Sequence, residues 1–303
     1  MITWNSNLKF VLSDVDETVA DLYMRARPDM CRELDRVLAE GTVIFFITGQ
    51  SLQSVQWRIT DHIRPDLRAR VLIAHCSGAE VWGFDSTGSL RERPFYSLYE
   101  NALSESQKQK WREVVQQVIE EFALNVHRTM PVEEFKALAG DDPAAIMLED
   151  RGPQITFEVV NGYNTPQGDM RVSIAKRLGE LFVTHGVPVT ARLAGVFAVD
   201  TALSGVSKTT AITKVLEDEV VLHELGLSRD DLKPEFMEVW GDKFSIHGGT
   251  DRHMSEALPM AVRSIDFRQE NPSEFLEGYH TVLWDGTKHL HDGLLEFLHM
   301  RPE

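Results

Sequence analysis

The sequence predicts an α/β fold: a doubly wound parallel-sheet core with an inserted α+β domain. Three observations carry this expectation. The apolar runs "LKFVLSD" (8–14), "VIFFITG" (43–49) and "RVLIAH" (70–75) lack alternation, which suits strands covered on both faces. Helical patterns separate the runs, giving the strand–helix rhythm of a doubly wound sheet. The rhythm breaks near residue 80 and resumes after residue 203, so both ends of the chain build one sheet.

Taken in order, "LKFVLSD" opens the sheet and Pro28 starts a helix. Met30, Leu34, Val37 and Leu38 follow helical spacing there, and Gly41 ends it. A second helix begins at the capping Ser51 in "SLQSVQWRITDHI". "GAEVWGFDSTGSLRERPF" (78–95) predicts a β-hairpin with its turn near Asp85–Gly88. Ser104 and Gln107 fit a capping box opening a long helix to Phe122, with Trp111, Val114, Val115 and Val118 on one stripe. "QITFEVV" (154–160) alternates like a strand with one exposed face, and a helix at 168–184 and strands at 187–193 and 195–200 follow. Residues 94–203 are therefore expected to form the inserted unit, and 1–93 with 204–303 the core. In the second core half, "SKTTAITKVLEDEVVLHELG" is helical, while "FMEVWGD" (236–242), "AVRSIDF" (261–267) and "HTVLW" (280–284) are strands. A last helix starts near Thr287.

At 303 residues the chain is long for one domain and comfortable for two. Its net charge of -16 argues against nucleic acid or an anionic membrane surface as partner, since both need a basic face. A small anionic substrate stays open, because one lysine or metal ion can invert the field of a cleft. Cys31 and Cys76 form no C-x-x-C motif and fit reduced core residues. "MITWNSNLKF" lacks a secretory pattern, and no run approaches the ~20 apolar residues of a membrane helix. A cytoplasmic protein is expected.

Open parallel sheets bind ligands at the carboxyl ends of their strands. Four polar groups fall there: Asp14 with Asp16, Thr48 with Gly49, Lys208 on the helix after the insertion, and Asp242 with Asp251 nine residues on. Charges where a strand leaves the core are common, so the Asp14–Asp16 cluster acquires meaning from the other three. Neighbouring carboxylates repel unless a cation sits between them, and oxygen ligands without a His/Cys cluster favour Mg²⁺ over zinc. Carboxylates, a hydroxyl, a lysine and Mg²⁺ make a site for a phosphoryl group.

The motifs match a family. D-x-D-x-T as Asp14-Val15-Asp16-Glu17-Thr18, then Thr48-Gly49, then "SGVSK" ending in Lys208, then "GDKFSIHGGTD" (241–251) resemble the haloacid dehalogenase superfamily of phosphatases. A large α/β cap between the second and third motifs looks like its sugar-phosphatase branch. The last motif is similar to that of phosphomannomutases. The resemblance covers both ends of the chain, and four ordered motifs make it specific.

What it implies is a Mg²⁺-dependent phosphatase acting on a small phosphorylated metabolite of sugar type. Asp14 looks like the nucleophile that forms an aspartyl-phosphate, and Asp16 like the general acid and then base. Thr48, Gly49 and Lys208 would bind phosphate. The implied metal set is Asp14, Asp16 (through its carbonyl), Asp242 and, indirectly or through water, Asp251. Thr250 stands where the family usually has Asn, Gln50 where many relatives have Arg, and the 242–251 loop is long. A phosphosugar mutase and a non-catalytic metabolite-binding protein of the same fold are the alternatives. The intact Asp14, Asp16, Lys208 and Asp242 argue against the latter, and a cap with scattered cations argues against the former. His289 and His291, two apart on a helix, do not share a face as metal ligands would. Arg151 and Lys243 are each open between a substrate-facing and a surface role.

Overall fold

Strand β1 (Phe10–Ser13) lies at the centre of the larger sheet, and every one of its residues is buried. The computed structural model describes residues 2–166 and 168–302. From β1 the chain runs through α1 (Pro28–Ala39), β2 (Val43–Ile47), α2 (Leu52–Arg58), β3 (Val71–His75), β4 (Glu80–Gly83) and β5 (Tyr96–Ser97). It continues through α3 (Leu98–Ala102), α4 (Glu105–Glu121), β6 (Asn125–His127), α5 (Val132–Ala139), β7 (Ala145–Asp150), β8 (Gln154–Glu158), α6 (Met170–Thr184), β9 (Val189–Ala194) and β10 (Ala198–Leu203). Last come α7 (Lys208–Glu217), α8 (Glu219–Glu224), β11 (Met237–Gly241), α9 (Arg252–Glu256), β12 (Arg263–Asp266), β13 (Thr281–Leu283) and α10 (Leu290–Leu298). Two units separate: Met1–Tyr96 with Ser207–Glu303, and Ser97–Val206.

The first unit carries the sheet β13-β12-β11-β1-β2-β3-β4-β5. Pairings from β13 to β3 are parallel, and β4 turns back antiparallel on β3. Both faces are apolar, as the unbroken runs predict. Val11, Ile44, Phe46 and Ile73 pack with α1 and α10, through Leu34, Val37, Leu294 and Phe297. Phe10, Leu12, Phe45 and Leu72 pack with Ala211, Ile212 and Val215 of α7. Each such side chain contributes about 1.5–3 kcal/mol when fully buried. Because β1 takes β2 on one side and β11 on the other, the strand order reverses at β1/β11, where doubly wound sheets bind ligands.

The second unit is the sheet β6-β7-β8-β10-β9, antiparallel except for β6–β7. Helices α4 and α6 cover it through Trp111, Val114, Val118, Ile174 and Leu178. Ser104 and Gln107 form the expected capping box.

Several expectations need correction. β8 is buried on both faces, because the polar side of "QITFEVV" meets polar partners: Gln154 donates to Thr156, and Thr156 to Asp200. β6, α5 and β7 carry no expectation from the sequence; β6 is three residues long and α5 eight. The helix after Lys208 breaks at Asp218, whose carboxylate caps a new helix by accepting from Val220 and Val221 N–H. α10 starts at Leu290 rather than Thr287, since Glu296 holds the N–H groups of Thr287 and Lys288 outside the helix. Among the described residues, no helix is long and apolar enough to cross a membrane.

Candidate active site

Asp14 is the first residue beyond β1, and its N–H donates to Trp240 O of β11 at 3.0 Å. That bond pins the carboxylate at the reversal of strand order. The chain then turns tightly: Val19 and Ala20 N–H both donate to Val15 O, and Glu17 adopts φ 63°. The turn brings Thr18 Oγ1 to 3.5 Å from Asp242 Oδ1. Asp16 points to a neighbouring strand end, where Thr48 Oγ1 donates to its Oδ2 at 3.4 Å. Thr48 leaves β2, Gly49 and Gln50 carry the chain on toward α2, and Gln50 N–H donates to Thr48 Oγ1.

Lys208 arrives through a close backbone approach. It opens α7 behind the capping Ser207, which accepts from Thr210 N–H. A Cβ on Gly78 (φ +93°) would lie 2.8 Å from Ser207 O, so only glycine lets the turn after β3 pack there. That turn also donates from Ser77 N–H to Thr48 O, which ties the Thr48 loop to the start of α7. The lysine is buried, with Nζ 3.3 Å from Asp14 Oδ1 and 3.1 Å from Asp251 Oδ1. Burial lowers its pKa, but Asp251 and Asp14 outweigh this and raise it.

Asp242 follows β11 and is wholly buried. The long loop after it closes on itself. Asp251 N–H donates to Lys243 O, and Asp251 Oδ2 accepts from the N–H groups of Asp242 and Lys243, both at 3.0 Å. A Cβ on Gly249 would stand 2.4 Å from Lys243 O, so the closure requires glycine there. With Oδ1 on Lys208 and Oδ2 on two backbone donors, Asp251 braces the loop and the lysine together.

Oxygens of Asp14, Asp242 and Asp251 lie within 4.8 Å of one another. Burial first, then Asp251, pushes Asp14 well above the usual carboxylate range, against the pull of Lys208. The same two causes push Asp242 up to about 7, opposed by Lys243 and Arg268. Lys243 turns inward, with Nζ 3.5 Å from Glu17 and 3.8 Å from Asp242. Arg151, its side chain 5% exposed, pairs with Glu149 at 2.7 Å in the second unit.

Two members of the cluster carried no expectation. Arg268 Nη2 pairs with Asp242 Oδ2 at 2.6 Å and also with Glu17. It lies two residues beyond β12, so the strand-end rule applied to that strand would have found it. Arg58 Nη1 pairs with Asp16 Oδ1 at 2.6 Å, and nothing in a helical sequence marks such an arginine.

Comparison of structures gives this arrangement a setting. A haloacid dehalogenase-like hydrolase from Bacteroides thetaiotaomicron aligns over 96% of this chain and 98% of its own at 13% identity, with a TM-score of 0.60. A phosphatase of the haloalkanoate (HAD) enzyme superfamily from the same organism aligns over 99% and 98% at 17% identity, with a TM-score of 0.52. The C-terminal domain of C. albicans trehalose-6-phosphate phosphatase aligns over 96% and 91% at 13% identity, with a TM-score of 0.55. The chain has the haloacid dehalogenase fold. At these identities the likeness is one of fold. Neither a protein-family model nor a curated protein matches the sequence significantly. Within the haloacid dehalogenase fold, Asp14, Thr48, Lys208 and Asp242 sit on one edge of the core sheet, each at a strand's carboxyl end or on the helix above it.

Proposed function

We propose that the protein is a Mg²⁺-dependent phosphomonoesterase acting on a small phosphorylated metabolite, with sugar phosphates the first class to test. One observation carries the reading: a buried lysine holds Asp14 at the strand-order reversal, with Thr48 and Asp242 just beyond the carboxyl ends of the flanking strands. The C. albicans neighbour is named for a sugar phosphate, which supports that substrate class. Cys31 and Cys76, both buried and neither in a disulfide, support a reducing, cytoplasmic setting.

The donor set fits Mg²⁺. It is all oxygen, buried and mutually repelling, which leaves Asp14 and Asp242 short of positive charge. Asp242 Oδ1 faces the Thr18 hydroxyl at 3.5 Å, while Oδ2 is taken by Arg268. Asp14, Asp242 and the Asp16 carbonyl would hold the ion, with Asp251 acting indirectly through the loop. When bound, Mg²⁺ would neutralise charge on the transferring phosphoryl oxygens.

The rest follows from the chain's own groups. Thr48, Gly49 and Lys208 hold phosphate oxygens so that an Asp14 oxygen attacks phosphorus in line. As the bond to the leaving oxygen breaks, Asp16 gives that oxygen a proton. Asp16 then takes a proton from water, whose oxygen attacks phosphorus and breaks its bond to Asp14. Phosphate leaves and Asp14 is restored.

Phosphate release from a panel of phosphorylated metabolites tests the reading, and no release from any member would end it. Chelation should abolish activity and Mg²⁺ restore it better than Ca²⁺, because the smaller ion enforces octahedral, in-line geometry. Full activity without a divalent ion would refute the metal assignment. Hydrolysis is also expected to outrun transfer. With hexose 1- and 6-phosphates, free phosphate should exceed isomer interconversion with or without a hexose bisphosphate. Bisphosphate-dependent interconversion faster than release would favour the mutase instead.

A further inference from the structure

We infer that Arg58 is the positioning residue of Asp16, fixing which carboxylate oxygen meets the leaving group. The inference rests on the phosphatase reading above and concerns a residue 42 positions away in sequence.

Arg58 ends α2 with its side chain 1% exposed. All three guanidinium nitrogens are used, and all on one loop. Nη1 donates to Asp16 Oδ1 at 2.6 Å, Nη2 to Asp21 O at 2.9 Å, and Nε to Met24 O at 2.8 Å. The backbone closes the clasp, since Arg58 O accepts from Ala26 N–H at 2.9 Å. The loop from 16 to 26 is thus folded around one rigid, planar donor fork.

The consequence for Asp16 is geometric. A carboxylate in a solvent-facing loop samples several rotamers, whereas a general acid must stay within hydrogen-bond reach of its target. Arg58 occupies Oδ1 and leaves Oδ2, beside the Thr48 hydroxyl at 3.4 Å, to meet substrate. Two backbone carbonyls would be enough to clip the loop. The third contact, to the carboxylate itself, is what a purely structural clip does not need.

The test uses two esters, an alkyl phosphate and 4-nitrophenyl phosphate, whose leaving groups differ in their need for a proton. Asp16→Asn sets the reference pattern. Arg58→Met should lower kcat for the alkyl ester by about 30- to 100-fold with KM within about threefold, and cost the nitrophenyl ester about tenfold less. Arg58→Lys keeps the charge and one contact, so it should recover part of the alkyl kcat. If Arg58→Met does not fold, the Lys variant alone must show the larger loss on the alkyl ester. Equal losses on both esters in an active protein overturn the assignment and leave the phosphatase reading standing. Wild-type protein that releases no phosphate from either ester overturns both.

Discussion

Asp14→Asn is expected to reduce phosphate release by about four orders of magnitude or more while leaving the fold as stable as before, or more stable. The two halves of this expectation have one cause. Asp14 sits where burial and the neighbouring Asp251 both oppose its negative charge. Its ionised form is therefore costly to the fold and useful to the chemistry, since a desolvated carboxylate beside a lysine is an available nucleophile. The amide keeps the volume and the donor from Asp14 N–H to Trp240 O, because that bond belongs to the backbone. It removes the attacking oxygen's charge and leaves Lys208 to Asp251 alone. Phosphate release from an aryl phosphate and the thermal midpoint measure both halves. Residual activity above about 1% would exclude Asp14 as nucleophile, given the size of effects on covalent catalysis. A clear fall in midpoint would contradict the charge argument.

Much of this site is legible in the sequence because its members are strand ends, and strand ends are marked locally. Asp14, Thr48 and Asp242 each follow an unbroken apolar run, and parallel pairing places such ends on one edge. Lys208 is likewise marked by the capping Ser207 before it. The ion pairs are another matter. Arg58 and Asp16 stand 42 residues apart, Arg268 and Asp242 stand 26 apart, and no periodicity links such partners. Asp251 shows the same limit. Its spacing suggests a ligand, yet its role as a brace depends on a loop whose closure requires Gly249 and two backbone donors. In the second unit, β8 misleads because alternation reports side-chain polarity, whereas Gln154 and Thr156 are buried in a hydrogen-bonded chain that ends on Asp200.

Lys208→Met is expected to remove about 10²- to 10³-fold of activity, the usual cost of losing one donor to a transferring oxyanion. It should also destabilise the fold by about 3–5 kcal/mol at neutral pH, because one cation is lost from between two buried carboxylates. The pH dependence follows from the signs. In the wild-type protein the lysine's pKa is raised, so its contribution is complete below its unfolded value and constant across pH 5–8. In the variant, Asp14 faces Asp251 without it, and Asp14, raised by burial and by Asp251, is then still easier to protonate in the fold than in the unfolded chain. Carboxylates raised in this way destabilise as pH rises, so the deficit should be smaller at pH 5 than at pH 8. Removing one of the two charges should then repair much of the damage. The double variant Asp14→Asn/Lys208→Met is expected to unfold at higher denaturant than Lys208→Met alone, although it has lost one more site residue. Denaturant unfolding of the four proteins at pH 5 and pH 8 closes the cycle. Losses that simply add, or a Lys208→Met protein as stable as wild type at pH 8, would show that Asp14 and Asp251 do not depend on Lys208 for their burial.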